Sequence, residues 1–274
     1  MPTFITAATL MISVLMTLTT RAQVTAREME MHRVAKEVIN AYYPLAALAH
    51  KKLVLNWDMK SSIANVTGNE IPGDIWQIHA YGGLVLNSNL TTEAFRFILC
   101  HEMGHILGGN PRWPSVYPGI MNSNSGQPDY YAASVCMKLV LRGQDNVRFV
   151  QRSRAPAALV TACQNRFASR YPSVNEVAIC IRTLQAGVDG LRFIAGILGS
   201  PMPDIHHRDP QKAIQWEQSH PNVQCRLDTV VAGALCIYQP TGKVINEGEI
   251  ANQFCASLPK GLGRPACWFP TSTR

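Results

Sequence analysis

The chain has 274 residues, of which 47% are hydrophobic and 16% charged, and its formal net charge is +7. This composition excludes a mostly disordered chain, and the length suits one large domain or a core with an appendage. Apart from a short N-terminal segment, no apolar run approaches the roughly 18 residues that a membrane span needs. The basic residues are scattered along the sequence, so the positive charge does not indicate a nucleic-acid partner or a membrane anchor.

The N-terminal apolar segment is typical of a signal peptide. Residues 5–18 are apolar, and small or short residues near Ala22 suit cleavage after that position. No Lys or Arg precedes the segment, which leaves an uncleaved anchor or a buried helix as alternatives. We expect residues 1–22 to be a signal peptide and residues 23–274 to form a single domain that is secreted or periplasmic in a bacterium.

Eight cysteines are an even number, which in an exported protein favours disulfide bonds. The sequence has no C-x-x-C pair, so a zinc ribbon or a thioredoxin-like redox site has no support. Sequence alone does not determine the connectivity. Pairing between neighbours along the chain predicts Cys163–Cys180, Cys225–Cys236, Cys255–Cys267 and, from the remaining two, Cys100–Cys136.

The first third of the chain predicts a helix and a small sheet. Apolar residues at helical spacing indicate a helix over 26–43, which Pro44 should end or kink. A short apolar run at 53–57 predicts a strand, and the polar stretch 61–74 predicts a loop. The segment 75–86 is rich in β-forming residues and contains a glycine pair that indicates a bend or bulge.

The middle of the chain is predominantly helical. Thr91 or Thr92 is placed to cap a helix that ends at Gly108-Gly109, and a loop with three prolines follows. Helical patterns then cover 129–141, 156–170 and 174–198. The segment 199–274 is rich in Cys and Pro, and we expect disulfides to hold it against the helical core. The fold class is therefore α+β, mostly helical, with a small β-sheet.

The motif His101-Glu102-Met103-Gly104-His105 lies inside the capped helix. Residues four apart lie on the same helical face, so both imidazoles can bind one Zn²⁺ ion, with Glu102 beside them as the general base for an attacking water. The opposite face is apolar, with Phe95, Leu99, Met103 and Ile106. A bare H-E-x-x-H pattern also occurs by chance, but a β-rich segment before the helix and a glycine pair after it are typical of a zincin.

Further segments resemble a known family. They are Gly82-Gly83, Cys100–Gly109, Gly126–Ala132, His220-Pro221, Gln224–Thr229, Gly233–Cys236 and Arg264–Phe269. In this combination the chain resembles exported bacterial metallopeptidases related to the gluzincins, which include the CAAX-prenyl protease, and whose members read C-H-E-L-G-H-H-L-G-G followed by E-G-Q-A-D-Y-F-A. The resemblance implies a zincin-like fold, a zinc ion and a protein or peptide substrate. The segment 80–86 is then expected to hold that substrate extended.

The third metal ligand is the point at which the sequence departs from known types. The metzincin pattern would require a histidine where Pro111 stands. The gluzincin glutamate, four residues before the Asp, is replaced by Ser125, whereas Asp129 matches the family's Asp that holds a ligand histidine. Three interpretations remain open: Asp129 binds the metal itself, the two histidines hold zinc weakly with water, or the protein is a degenerate homologue without hydrolytic activity.

Other histidines have weaker indications. His220 is placed to hydrogen-bond a reaction intermediate or is simply structural, and His79 is placed to line a substrate cleft. We therefore predict a zinc-dependent endopeptidase with Glu102 as base and His101, His105 and Asp129 around the metal. The alternatives are a secreted binding protein that kept the scaffold, and a hydrolase that acts on another amide in the cell wall or in lipoproteins.

Overall fold

The computed structural model describes residues 5–168, 173–256 and 263–270, with side chains from residue 26 onward. Its first element is a long helix, α1 (Ile5–Leu48), which contains the predicted 26–43 helix. Of the two alternatives predicted for Pro44, an end of the helix is not found, because the helix continues to Leu48 and buries Leu45 and Ala46 in the core. Residues 1–4 of the predicted signal peptide lie outside the described residues.

A mixed three-stranded sheet follows α1. Its strands are β1 (Lys52–Asp58), β2 (Val66–Ile71) and β3 (Ile75–Tyr81). The central strand is β3, which pairs in parallel with β1 and antiparallel with β2. Alternate β3 residues (Trp76, Ile78 and Ala80) are buried, as the two-residue period of a strand requires. The sheet therefore has β1 and β2 at its edges.

Two sequence predictions for this region are wrong. The segment 61–74 is not a plain loop, because it contains β2; Gly68 and the polar residues weaken the strand pattern, and pairing with β3 supplies the missing stabilisation. The glycine pair does not form a bulge but begins a short helix, α2 (Gly82–Val85). A Cβ atom on Gly83 would lie 2.1 Å from the Ser62 carbonyl oxygen, so the pair allows the close approach of two chain segments.

The predicted motif helix is confirmed as α3 (Thr92–Leu107). Thr91 is its N-cap and accepts a hydrogen bond from the Ala94 amide at 3.1 Å. The remaining elements, in chain order, are β4 (Arg112–Pro114), β5 (Met121–Ser123), α4 (Gln127–Tyr131), a π-helical turn (Ala132–Cys136), α5 (Met137–Leu141), α6 (Asn146–Arg152), α7 (Ala157–Phe167), α8 (Val174–Leu198), α9 (Val223–Ala234) and α10 (Glu247–Ala256). The last two residues of the predicted 156–170 helix lie outside the described residues.

Buried apolar and ionic contacts fix α3 in the core. The face predicted to be apolar (Phe95, Leu99, Met103 and Ile106) is buried. At the beginning of α3, Arg96 is almost fully buried and donates to Glu37 of α1 at 2.6 Å. Arg182 of α8 binds Glu93 of α3 through two hydrogen bonds of 2.7 and 2.9 Å. The helix that carries the motif is therefore anchored on two sides.

Four disulfides join distant parts of the chain: Cys100–Cys136, Cys163–Cys180, Cys225–Cys267 and Cys236–Cys255. The first two were predicted, whereas the predicted pairs Cys225–Cys236 and Cys255–Cys267 are wrong. Cys225 lies in the first turn of α9 and Cys236 lies beyond its end, and about 11 residues of helix separate them by roughly 16 Å. A disulfide needs Cα atoms within about 7 Å, so neither cysteine can reach the other.

The structure is an α+β fold, mostly helical, with a small sheet and a disulfide-bonded C-terminal segment, as predicted. In the part of the chain that it describes, no helix combines the length and apolar character needed to cross a bilayer.

Candidate metal centre and active site

The helix α3 brings three motif residues to one surface. His101 and His105 lie one turn apart, with ring centroids 4.9 Å from each other, and Glu102 is next to them. Between them, Gly104 allows the next helix to come close, because a Cβ atom there would lie 2.7 Å from the Pro128 backbone. The start of α4 therefore lies directly against the two histidines.

Each motif histidine donates its Nδ1–H to a fixed acceptor. His101 Nδ1 lies 2.7 Å from Asp129 Oδ1, and His105 Nδ1 lies 2.8 Å from the Ser123 carbonyl oxygen. A carboxylate and a carbonyl can only accept, so the proton is on Nδ1 in both rings and each Nε2 keeps its lone pair. Burial lowers the pKa of both histidines, that of His105 to about 3, and both rings are therefore neutral at pH 7.

A third histidine joins this pair from a distant part of the chain. His220 precedes α9, and its Nε2 lies 2.9 Å from Nε2 of His101. One nitrogen atom from each of His101, His105 and His220 lies within 4.8 Å of the other two, which is close enough for a single metal ion. Burial lowers the pKa of His220, so this ring is also neutral.

Sequence reasoning missed this possible ligand. His220 was considered only as a hydrogen-bond donor to an intermediate or as a structural residue, because 119 residues separate it from His101. No local spacing rule connects positions so far apart. The available signal was its position five residues before Cys225, in a tail expected to be held against the core by disulfides.

Asp129 is fully buried and both of its oxygens are engaged. In addition to His101, it accepts hydrogen bonds from Arg226 Nε at 2.7 Å and Arg226 Nη2 at 3.0 Å. Burial alone would raise the pKa of Asp129, but Arg226 and His101 hold it well below its usual range. These contacts match the role implied by the resemblance, which is to hold a ligand histidine. The direct ligand role that we predicted for Asp129 stays a prediction.

Glu102 is buried beside the histidines and contacts β2. Burial raises the pKa of its carboxyl group to about 8, against a hydrogen bond from the Gly68 backbone N–H that favours the ionised form. A side chain at position 68 would collide with the helix, since its Cβ atom would lie 2.2 Å from the Glu102 carbonyl oxygen. Glycine in β2 therefore allows the edge strand to lie against α3.

Ser125, at the position of the family's glutamate, faces the third histidine. It is buried, and its backbone has φ +59°, so it lies in a turn before α4 begins at Gln127. Ser125 and His220 line the same small cavity of about 100 Å³. His220 therefore lies beside the position from which the family's carboxylate would project.

An open cleft of about 550 Å³ lies in front of these residues. Its lining consists of residues 64–69 in and before β2, Leu84, Phe97, Ile98, His101, Glu102, His105, Asn122, Asn124, Phe193, Ile194, Ile197, Leu198, His220 and Arg226. Since β2 is an edge strand, the cleft combines a possible metal centre, a buried carboxylate and a strand able to pair with a peptide.

The predicted substrate strand is wrong. Residues 80–81 belong to β3, the central strand, and residues 82–85 are helical, so this segment has no free edge for a peptide. His79 does not line the cleft; its ring stacks on Tyr81 at 4.0 Å, and its Nδ1 lies 3.3 Å from Asn56. The strand edge beside α3 is instead that of β2.

One of three comparisons with known proteins finds a match. No match is found among curated proteins or among solved structures. The family model of Peptidase family M48 matches residues 22–233, which contain the motif helix, Asp129 and all three clustered histidines. The chain therefore belongs to peptidase family M48, a family of metallopeptidases.

Proposed function

We propose that the protein is a zinc-dependent endopeptidase whose metal is held by His101, His105 and His220. The observation that carries this proposal is the convergence of three neutral imidazoles beside a buried carboxylate, Glu102. A catalytic zinc site typically has three protein ligands and one open position. His220 supplies the third ligand, and this explains how the chain retains a complete site with Ser125 in place of the glutamate.

The chemistry of the donor set fits zinc. Ligand histidines in zinc enzymes usually donate their second ring nitrogen to a carboxylate or a carbonyl. Asp129 and the Ser123 carbonyl accept such bonds from His101 and His105 here. The rings are neutral because burial lowers their pKa, and the neutral imidazole is the form that binds metal.

Glu102 acts as the general acid and base of the reaction. A bound zinc ion would supply the Lewis acid that polarises the substrate carbonyl. The Glu102 carboxylate accepts the proton of the attacking water, and then donates it to the leaving amine nitrogen. Burial raises the pKa of Glu102, and the hydrogen bond from the Gly68 N–H opposes this shift because it favours the ionised form that accepts a proton. The Gly68 N–H orients this carboxylate.

Arg226 and Asp129 hold the site in place through the ring of His101. The two-bond pairing of Arg226 with Asp129 keeps the carboxylate ionised, and the carboxylate in turn fixes the ring of His101. Because Arg226 belongs to α9, which follows His220, one segment positions both the third histidine and the partner of the first.

The substrate is a protein or peptide that binds extended along β2. Tyr81 N donates to the Asn65 carbonyl, so residues 65, 67, 69 and 71 face β3, and the backbone groups of Val66 and Glu70 and the Gly68 carbonyl point to the other edge, where the Gly68 N–H donates to Glu102. This edge borders the cleft. Residues 23–274 act as one domain, in which the C-terminal segment completes the site. Four disulfides favour a secreted or periplasmic location.

Zinc content and casein hydrolysis test the proposal. Wild-type protein should hold close to one zinc per chain by elemental mass spectrometry. His220→Ala should lose most of it, whereas His206→Ala, an exposed histidine of the same segment, should not. Asp129→Ala should weaken zinc binding about 10–100-fold but not abolish it, as expected for a residue that holds a ligand.

Glu102→Gln should retain zinc and lose casein hydrolysis. Full zinc retention in His220→Ala would contradict the ligand set, and complete zinc loss in Asp129→Ala with retention in His220→Ala would restore Asp129 as the third ligand. Zinc binding without any Glu102-dependent hydrolysis would instead favour the binding-protein alternative.

A further inference from the structure

We infer that residues 264–269, here called the C-terminal clamp, position His220 at the metal, and that the Cys225–Cys267 disulfide makes zinc retention depend on oxidation. This inference rests on the proposed function, because it takes His220 as the third ligand. The C-terminal clamp follows residues 22–233, over which the family model matches. It is therefore a feature of this chain in addition to the matched region.

Two neighbouring residues of the C-terminal clamp hold both ends of the segment that carries His220. Before His220, the Ala213 N–H donates to the Ala266 carbonyl oxygen at 2.8 Å. After His220, Cys225 forms the disulfide with Cys267. Joining the two ends of a segment restricts the conformations that it can adopt. His220 is therefore confined to a short loop whose two ends meet at positions 266 and 267.

A short and restricted stretch of backbone connects the disulfide to His220. Asn222 is the N-cap of α9, and its Oδ1 accepts a hydrogen bond from the Cys225 N–H at 3.0 Å. The Asn222 carbonyl oxygen also accepts from the Arg226 N–H at 3.0 Å. Pro221, which has a fixed φ, joins this cap to His220. The position of Cys225 therefore determines where the imidazole of His220 lies.

The other contacts between the C-terminal clamp and this segment are weaker. The ring centroids of Trp216 and Phe269 lie 6.0 Å apart, and the guanidinium carbon of Arg264 lies 3.7 Å from the centre of the Phe269 ring. Trp216 is 41% exposed, and ring contacts at exposed sites stabilise a structure only slightly. Since the disulfide is the covalent bond among these contacts, we expect its loss to release the segment.

Formation of this disulfide is a two-electron oxidation. The thiols of Cys225 and Cys267 lose two protons and two electrons, which a disulfide oxidant such as oxidised glutathione takes up to become two thiols. In the folded protein the two cysteines are 0% and 6% exposed, so the bond is shielded from reductants once it has formed. The chain thus gains tight zinc binding in an oxidising compartment, and lacks it where its cysteines stay reduced.

Removal of the disulfide tests the inference through zinc affinity rather than activity. The variant Cys225→Ala/Cys267→Ala stands for the reduced chain, and alanine, unlike a free thiol, does not itself bind zinc. In competition with a chromophoric chelator, it should bind zinc about 10–100-fold more weakly than the wild-type protein. The matched control Cys163→Ala/Cys180→Ala removes the disulfide between α7 and α8 and should leave the affinity unchanged. Far-UV circular dichroism checks that both variants fold.

A double-mutant cycle with His220→Ala separates positioning from a general loss of structure. If the C-terminal clamp acts through His220, the effects of the substitutions are not additive. Removal of the Cys225–Cys267 disulfide in the His220→Ala background should then cause no further loss of zinc affinity. A further loss as large as that in the wild-type background would show that the disulfide acts independently of His220, and would overturn the inference.

Trp268→Phe decides the case in which the disulfide variant does not fold. This variant keeps an aromatic ring but removes the hydrogen bond to Thr229, and its zinc affinity should fall about fivefold. The matched control Trp76→Phe removes an indole hydrogen bond to Glu70 and should leave the affinity unchanged.

The same measurements distinguish failure of this inference from failure of the proposed function. Wild-type zinc affinity in the disulfide variant and in Trp268→Phe, together with weakened binding in His220→Ala, would overturn this inference alone. Unchanged zinc affinity in His220→Ala would contradict the proposed ligand set, and the inference with it.

Discussion

Replacing Asp129 by Asn should strongly destabilise the protein. The substitution keeps the size of the side chain but removes the charge that compensates Arg226. Both groups are buried, since Asp129 is 0% and Arg226 7% exposed, and two hydrogen bonds of 2.7 and 3.0 Å join them. Loss of one partner of a buried ion pair costs about 3–5 kcal/mol, because the other charge stays buried without compensation. In a chain of this length, the corresponding fall in Tm is roughly 6–20 °C.

The loss of stability in the Asp129→Asn protein should depend on pH in a defined direction. Arg226 and His101 hold the pKa of Asp129 below its value in the unfolded chain, which is about 3.9. The unfolded state therefore takes up the proton first as the pH falls, and the stabilisation by Asp129, present above about pH 4, is lost below it. The difference between wild-type and Asp129→Asn proteins should be largest near pH 7 and should narrow towards pH 3.

Urea unfolding followed by far-UV circular dichroism measures both effects. A chelator removes metal, so that zinc binding does not contribute to the free energy of unfolding. The matched control is the double variant Asp129→Asn/Arg226→Met, which removes both charges and should recover part of the lost stability. Three results would refute the ion-pair reasoning. They are a fall in the free energy of unfolding of less than about 1 kcal/mol at pH 7 in Asp129→Asn, a difference from wild type that does not narrow in acid, and a double variant that is no more stable than Asp129→Asn.

Three further predictions concern other parts of the molecule. Ser125→Glu in the His220→Ala background should restore part of the zinc content, because Ser125 and His220 line the same cavity; no recovery by elemental mass spectrometry would show that they do not substitute for each other. Replacement of Cys163 and Cys180 by Ala opens a loop with a sequence separation of 17 and should cost about 3 kcal/mol in urea unfolding, with zinc content unchanged. Burial lowers the pKa of Lys138 to about 7, so the unfolded state binds more protons between about pH 7 and 10, and stability should rise with pH over this range. Lys138→Met should flatten that rise between pH 7 and 9.

The sequence predicted α3 well because its signals are local. The Thr91 cap, the apolar face and the spacing of His101 and His105 all lie within one helix, where contacts join residues three or four apart. The same holds for α8, whose predicted limits agree with those of the structure. Local patterns were therefore sufficient to predict the helix that carries the H-E-x-x-H motif and the helix that packs against it.

The features that sequence missed depend on distant partners. The strand β2 is too polar to be recognised alone and is stabilised by its pairing with β3. The Cys225–Cys267 disulfide joins residues with a sequence separation of 42, and the assumption that neighbouring cysteines pair does not predict it. His220 contacts His101 across 119 residues. Each of these depends on how helices and strands pack, which periodicity and spacing do not encode.

The segment before α9 explains how a loop residue can act as a third ligand. A ligand on an irregular segment must be held in place by other contacts, since ordering a free backbone costs about 1–2 kcal/mol per residue. Here Asp204 N donates to Gln224 and Asp209 N donates to Asp228, both at 2.8 Å, which fastens the segment along α9. The helix itself is fixed by the Cys225–Cys267 bridge and by the pairing of Arg226 with Asp129.

The C-terminal segment also supports the turn beside the proposed metal centre. Trp268 donates to Thr229 of α9 at 2.8 Å and packs on Gly126, where a Cβ atom would lie 2.4 Å from the indole ring. The same tryptophan thus supports the turn that contains Ser125 and the helix that follows His220.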